Sequence, residues 1–233
     1  MKKFKTILSA LLLLGSLAAC DKTPSEPVSQ QPSQSETVPA QPSESVKPSE
    51  SVKPSDSAVT GSLLDAALVG IANNKTVHLT TVGQADSDIV GNILKKSGAA
   101  GKYTTNASLR ASDVKEGEVV FLTLGSSSKG LGAAGIDEAH EKTRAKEFSD
   151  AAKDGKFTLI LFHVGGTARR GTSSDPIIEA AFPGADACLV VATGNEDGFF
   201  TNLASTNNVP LYSVAKSAEL INYAKELYGI SAE

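Results

Sequence analysis

The 233-residue chain carries 22 basic and 26 acidic side chains, three histidines, two cysteines and no tryptophan. A formal charge of −4 without a broad basic stretch argues against a generic nucleic-acid binder. Three scattered histidines make a multi-histidine metal site improbable, and two cysteines are too few for a disulfide scaffold.

The chain opens on the basic run Met1-Lys2-Lys3-Phe4-Lys5, followed by an apolar run over residues 7–14 that is too short to span a bilayer as a stable helix. Residues 1–19 therefore read as an export signal. The segment closes on Leu17-Ala18-Ala19-Cys20, which resembles the bacterial lipobox, in which the cysteine is lipidated and becomes the new N-terminus. That resemblance implies a lipoprotein held by lipid on Cys20 to the outer face of the cell membrane. Asp21 resembles the inner-membrane retention signal of enteric lipoproteins, which would place the anchor in a periplasm-facing leaflet of a Gram-negative host. Loss of the signal removes three lysines and takes the formal charge from −4 to −7.

Residues 20–60 begin with the lipidated cysteine and then collapse in composition to Ser, Pro, Glu, Gln and Val, with Ser43-Glu44-Ser45-Val46-Lys47-Pro48 repeated as Ser49-Glu50-Ser51-Val52-Lys53-Pro54. Such a segment has too few apolar residues to build a core and reads as a disordered tether, reaching about 35 Å as a coil and about 120 Å extended. Residues 61–233 hold 16 basic and 20 acidic side chains and suit one domain with its own core.

Hydrophobic periodicity across that domain predicts alternating strands and helices. In chain order they are a strand at 77–82, a helix capped by Asp86-Ser87-Asp88 and ending at Gly98, a weak strand at 103–109, and a helical turn at 112–115. A strand at 118–124, a long helix at 136–153, a strand at 157–162 and a helix at 176–182 come next. The order closes with a strand at 187–192, a helix at 199–205, a strand at 211–214 and a helix at 218–227. Continuous Val/Ile/Leu/Phe runs between amphipathic helices indicate a doubly wound α/β fold, a mostly parallel sheet in a Rossmann-like or flavodoxin-like three-layer sandwich. Cys188 sits inside one such run and reads as a small core hydrophobe rather than a reactive thiol.

A parallel sheet places its strand-to-helix loops on one edge, and four of these are rich in Gly and polar residues: 83–88, 125–135, 163–175 and 193–198. The third is the richest in chemistry. It holds His163, Gly165, Gly166, Arg169, Arg170, Ser174 and Asp175, and the adjacent arginines are two of only four in the chain. Paired guanidinium groups among glycines suit a small acid or phosphate. Lys129 and Gly130 of the second loop, and Asn195 and Asp197 of the fourth, complete the expected ligand set. Asp175 before Pro176 is in addition expected to cap a helix, and Glu141 and Arg144, one turn apart on the long helix, are expected to pair across solvent.

Enzyme signatures fail on inspection. Gly130, Gly132 and Gly135 have the dinucleotide spacing, but the preceding strand does not run directly into them and the next strand ends in His163 rather than an acid. Gly130 follows Lys129 where a Walker loop needs Ser or Thr, and Arg144 stands where a zincin needs its second histidine. No cofactor or metal is expected.

The segments 81–84, 127–137, 163–175 and 194–200 together resemble an uncharacterised family of exported bacterial single-domain proteins, over nearly all of residues 77–228. That resemblance supports the fold and the location of the site and carries no activity. The expected function is membrane-tethered, extracytoplasmic binding of a small anionic solute, a carboxylate or phosphate compound, with a membrane transporter or sensor as partner. The alternatives are a hydrolase or transferase with His163 as acid/base, and a cell-envelope interaction module without a small ligand.

Overall fold

A computed structural model describes residues 62–231, so the signal, Cys20 and the tether lie outside the described residues. Six strands form one sheet: β1 (Val77–Val82), β2 (Thr104–Thr105), β3 (Val119–Leu124), β4 (Thr158–His163), β5 (Ala187–Val191) and β6 (Leu211–Val214). Their order is β2-β1-β3-β4-β5-β6 and every pairing is parallel. The helices are α1 (Ser87–Leu94), α2 (Ser128–Ala134), α3 (Glu138–Lys153), α4 (Asp175–Ala181), α5 (Phe199–Asn207) and α6 (Leu220–Leu227). The fold is the doubly wound α/β sandwich that the periodicity predicts.

Side chains alternate across each strand, and the two faces bury two separate cores. On one face Val77, Leu79, Phe121, Phe162 and Leu189 meet Ile93 and Leu94 of α1 and Leu220 and Leu227 of α6. On the other, Val120, Leu122, Leu159, Leu161 and Cys188 meet Phe148 of α3, Ile177 and Ile178 of α4, and Phe200 of α5. Burial pushes the Cys188 thiol above its ordinary range, which keeps it protonated and inert.

Two local departures from the sequence expectation have physical causes. The stretch 125–135, expected as a loop, is mostly α2: Ser127 caps it by accepting from the Gly130 amide, and Gly135 ends it in the left-handed region at φ 67°. The expected helix at 136–153 thus begins at Glu138, where the Asp137 side chain accepts from the His140 amide. Residues 62–76 carry no predicted element, yet Leu64, Leu68 and Ala72 join the first core, and the Gly70 and Ala72 amides donate to the Glu226 and Leu227 carbonyls. No helix among the described residues is long and apolar enough to cross a membrane.

Candidate functional site

Strand order reverses between β1 and β3, so the loops leaving these strands flank the crevice where doubly wound sheets build their sites. The loop after β1 is anchored from below by a buried ion pair. Glu141 and Arg144 are 0% and 2% exposed, correcting the expectation that they pair across solvent. Arg144 Nε donates to Glu141 Oε1 at 2.9 Å and Nη2 to Oε2 at 2.8 Å. Two further bonds reach backbone: Nη1 to the Leu109 carbonyl at 3.0 Å, and Nη2 to the Thr81 carbonyl. Glu141 Oε2 in turn accepts from the Gly83 amide at 2.6 Å. The end of β1 and the first residue beyond it are therefore fixed by charge-assisted bonds in a dry setting.

Above this anchor Arg169 crosses the switch point. It ends a 3-10 turn, Gly166–Arg169. Its stem packs over Gly125, and a side chain at either Gly125 or Gly165 would run into it. Nε reaches both oxygens of Asp86 at 3.1 Å. Asp86 does not cap α1 through its side chain, as its position predicts; its backbone is left-handed at φ 61° and its carboxylate faces Arg169. Nη1 and Nη2 of Arg169 make no hydrogen bond among the described residues, and about a third of the side chain is exposed.

Arg170 is committed differently. Nε and Nη2 donate to Asp175 at 2.8 and 3.2 Å, Nη1 and Nη2 to Asp197 at 3.1 and 3.0 Å, and Nη1 to the Gly194 carbonyl at 2.5 Å. All the N–H donors of the guanidinium are occupied. Its Cζ also lies over the Phe199 ring, 3.9 Å from the centroid. Burial alone would lower the Arg170 pKa, but the two carboxylates outweigh it and hold the group above its ordinary value, while Arg170 holds Asp197 down to about 2. An anion reaching this arginine has to displace Asp175 or Asp197.

These loops lie within residues 74–228, which match the family described as Domain of unknown function (DUF6305). The chain belongs to this family. No curated protein and no solved structure matches it. The segments 81–84, 127–137, 163–175 and 194–200 all fall inside the DUF6305 match, and the sheet carries them to its carboxyl edge.

His163 of the DUF6305 domain ends β4 and is fully buried. Its Nδ1 lies 3.2 Å from the Leu124 carbonyl and its Nε2 3.1 Å from the Gly166 carbonyl. The ring packs 4.7 Å from Phe200 and so close to Gly194 that a side chain there would overlap it. In this conformation the imidazole joins three loops and has no face open to a substrate. Burial lowers its pKa, partly offset by the two carbonyls. A histidine depressed in the fold contributes stability above its unfolded pKa of about 6.5, and that contribution is lost as pH falls through the folded value. The thermal midpoint is expected to fall from pH 7.5 to 5, and His163→Phe, whatever its starting stability, to fall less over that interval. Parallel losses in the two proteins would place the acid sensitivity elsewhere.

The other predicted residues hold the edge together or stand apart from it. Ser174 Oγ accepts from the Ser126 amide at 2.9 Å, joining the loops after β3 and β4. Asp175, expected to cap α4, is instead its first residue, after Ser174, and its carboxylate accepts from the Gly171 amide and Arg170. Asn195 exchanges bonds with Thr201 at 2.9 and 3.1 Å and so secures the first turn of α5, where Asp197 also accepts from the Phe199 amide. Gly166 packs against Thr193, and Gly130 against the Gln84 carbonyl. Lys129 is exposed on the first turn of α2, without a hydrogen bond or ion pair among the described residues. A cleft of about 280 Å³ lies beside Arg170, lined also by Asp175, Glu196 and Asp197.

Sequence reasoning missed the anchor beneath the site. Its signal was present: 141, 144, 145 and 148 have the spacing of an inward helical stripe, and the last two are Ala145 and Phe148, both buried. Charged residues on an inward stripe identify a buried pair.

Proposed function

We propose that the chain is an exported lipoprotein, anchored through Cys20 and a tether over residues 21–60, whose DUF6305 domain binds a small carboxylate at the switch point. The observation that carries the ligand reading is the division of labour between adjacent arginines. Arg170 is saturated, whereas Arg169 is fixed through Nε by Asp86 and keeps Nη1 and Nη2 without partners among the described residues. Two parallel N–H groups on a pre-positioned guanidinium match the oxygens of one carboxylate. Asp86, Asp175 and Asp197 surround the arginines, and this excess of negative charge favours a monoanion over a phosphate dianion. A membrane transporter or sensor would take the solute onward.

Native mass spectrometry of the purified protein, followed by a thermal-shift screen of small carboxylic acids, identifies the ligand. Arg169→Ala is expected to weaken the best acid by about 1.5–3 kcal/mol, roughly 10- to 150-fold in Kd. An undiminished response in that variant overturns the assignment.

A further inference from the structure

The opposite edge of the sheet holds a second pocket of different electrostatic character. It has a volume of about 410 Å³, within the range of small-molecule sites, and lies at the start of β1 and β2. Lys75 and Lys102 stand at it with Asn73, Asn74 and Tyr103, and none of its lining residues is acidic. In a domain with more acidic than basic side chains this is a local reversal of sign. The cleft beside Arg170, by contrast, has three carboxylates in its lining.

Tyr228 adds an independent observation. It lines the pocket, is only 2% exposed, and its hydroxyl has no hydrogen-bond partner among the described residues. A buried phenol without a partner forgoes a hydrogen bond that it had in water. Its ring is fixed edge-on to Phe121 with centroids 5.9 Å apart, so the hydroxyl cannot easily swing away to find another partner. The Tyr103 hydroxyl, by comparison, is already used, donating to the Gly91 carbonyl at 2.9 Å. The pocket wall is firm as well, because the Gly70 and Ala72 amides tie it to the carbonyls of α6.

We propose that this pocket is a second ligand site, for the phosphate monoester of a small alcohol. Lysine ammonium groups act as point charges that suit a phosphate without fixing its orientation. The Tyr228 hydroxyl, closed off in the unliganded fold, donates to a phosphate oxygen once the exposed Lys102 and half-buried Tyr103 side chains at the pocket give way, the amides of Asn73 and Asn74 take the alcohol's hydroxyls, and the carbon skeleton lies against Tyr103 and Val77.

The test is an amide-resolved NMR titration of the full chain with glycerol 3-phosphate, inorganic phosphate and acetate. Saturable shifts are expected at residues 73–76, 101–104 and 228 with both phosphate probes, the ester binding more tightly, and none there with acetate. Lys75→Glu combined with Lys102→Glu, both exposed side chains, is expected to raise the Kd at least tenfold. Tyr228→Phe is expected to leave the fold and the unliganded midpoint unchanged or slightly improved, and to weaken the ester several-fold. Arg169→Ala, which tests the carboxylate reading at the other edge, leaves this titration unaltered, so the two proposals fail separately. Phosphate shifts confined to the surroundings of Arg169, an unchanged affinity after the double charge reversal, or full affinity in Tyr228→Phe each overturn the second site.

Discussion

Arg144→Met is expected to lower the unfolding free energy by about 3–5 kcal/mol, the cost of leaving one buried charge without its partner. The reason lies in what the guanidinium satisfies. It neutralises a Glu141 carboxylate that is 0% exposed, and it caps the carbonyls of Thr81 and Leu109, which have no route to water through a buried arginine. Methionine fills a similar volume, so the loss reports charge and hydrogen bonding rather than a cavity. Glu141→Gln combined with Arg144→Met removes both charges while keeping an acceptor for the Gly83 amide, and is expected to lose less than Arg144→Met alone. Urea unfolding of the parent and both variants measures these differences. A loss under about 1 kcal/mol in Arg144→Met, the range of an ordinary surface change, would show that the pair does not hold the β1 loop.

The strands were legible because each lies in a continuous apolar run, and burial on both faces of a parallel sheet demands such a run. Val77–Val82 and Leu211–Val214 coincide with their predicted bounds. The segment 62–76 was not legible because Leu64, Leu68 and Ala72, although four residues apart, fall in a run of bends and turns and not in a helix, and only the tertiary fold shows that they meet α6. α2 was hidden by composition: Gly130 and Gly132 lower intrinsic helix propensity, yet the Ser127 cap and tertiary packing prevail. At the site, residue type identified the edge and the adjacent arginines, but not their partners. Nothing local distinguishes Arg169 from Arg170. Their assignments depend on Asp86, 83 residues away in sequence, and on Asp197, 27 residues away, which meet them only because the parallel sheet stacks its carboxyl-end loops.

Arg170→Ala is expected to destabilise the unliganded domain by about 2–3 kcal/mol, which for a domain of this size is roughly 5–10 °C in thermal midpoint. The guanidinium, paired with Asp175, joins the loop after β4 to the loop after β5 through the Gly194 carbonyl, and its Cζ lies over the Phe199 ring at the start of α5. Asp197 contributes direction more than energy, because its carboxylate is solvated. Removing the arginine leaves Asp175 at the first turn of α4, where the helix N-terminus still favours it, so the main loss is the bridge and not a stranded carboxylate. Arg170→Lys is expected to recover little, since an ammonium can neither make the paired contacts to Asp175 nor stack as a plane. If Arg170 instead serves chiefly to hold an acid, the unliganded midpoint of Arg170→Ala should match the parent and only the carboxylate-induced shift should vanish. Midpoints of both proteins with and without the best carboxylate separate the two. A structural bridge lowers the baseline, and a ligand contact lowers only the increment.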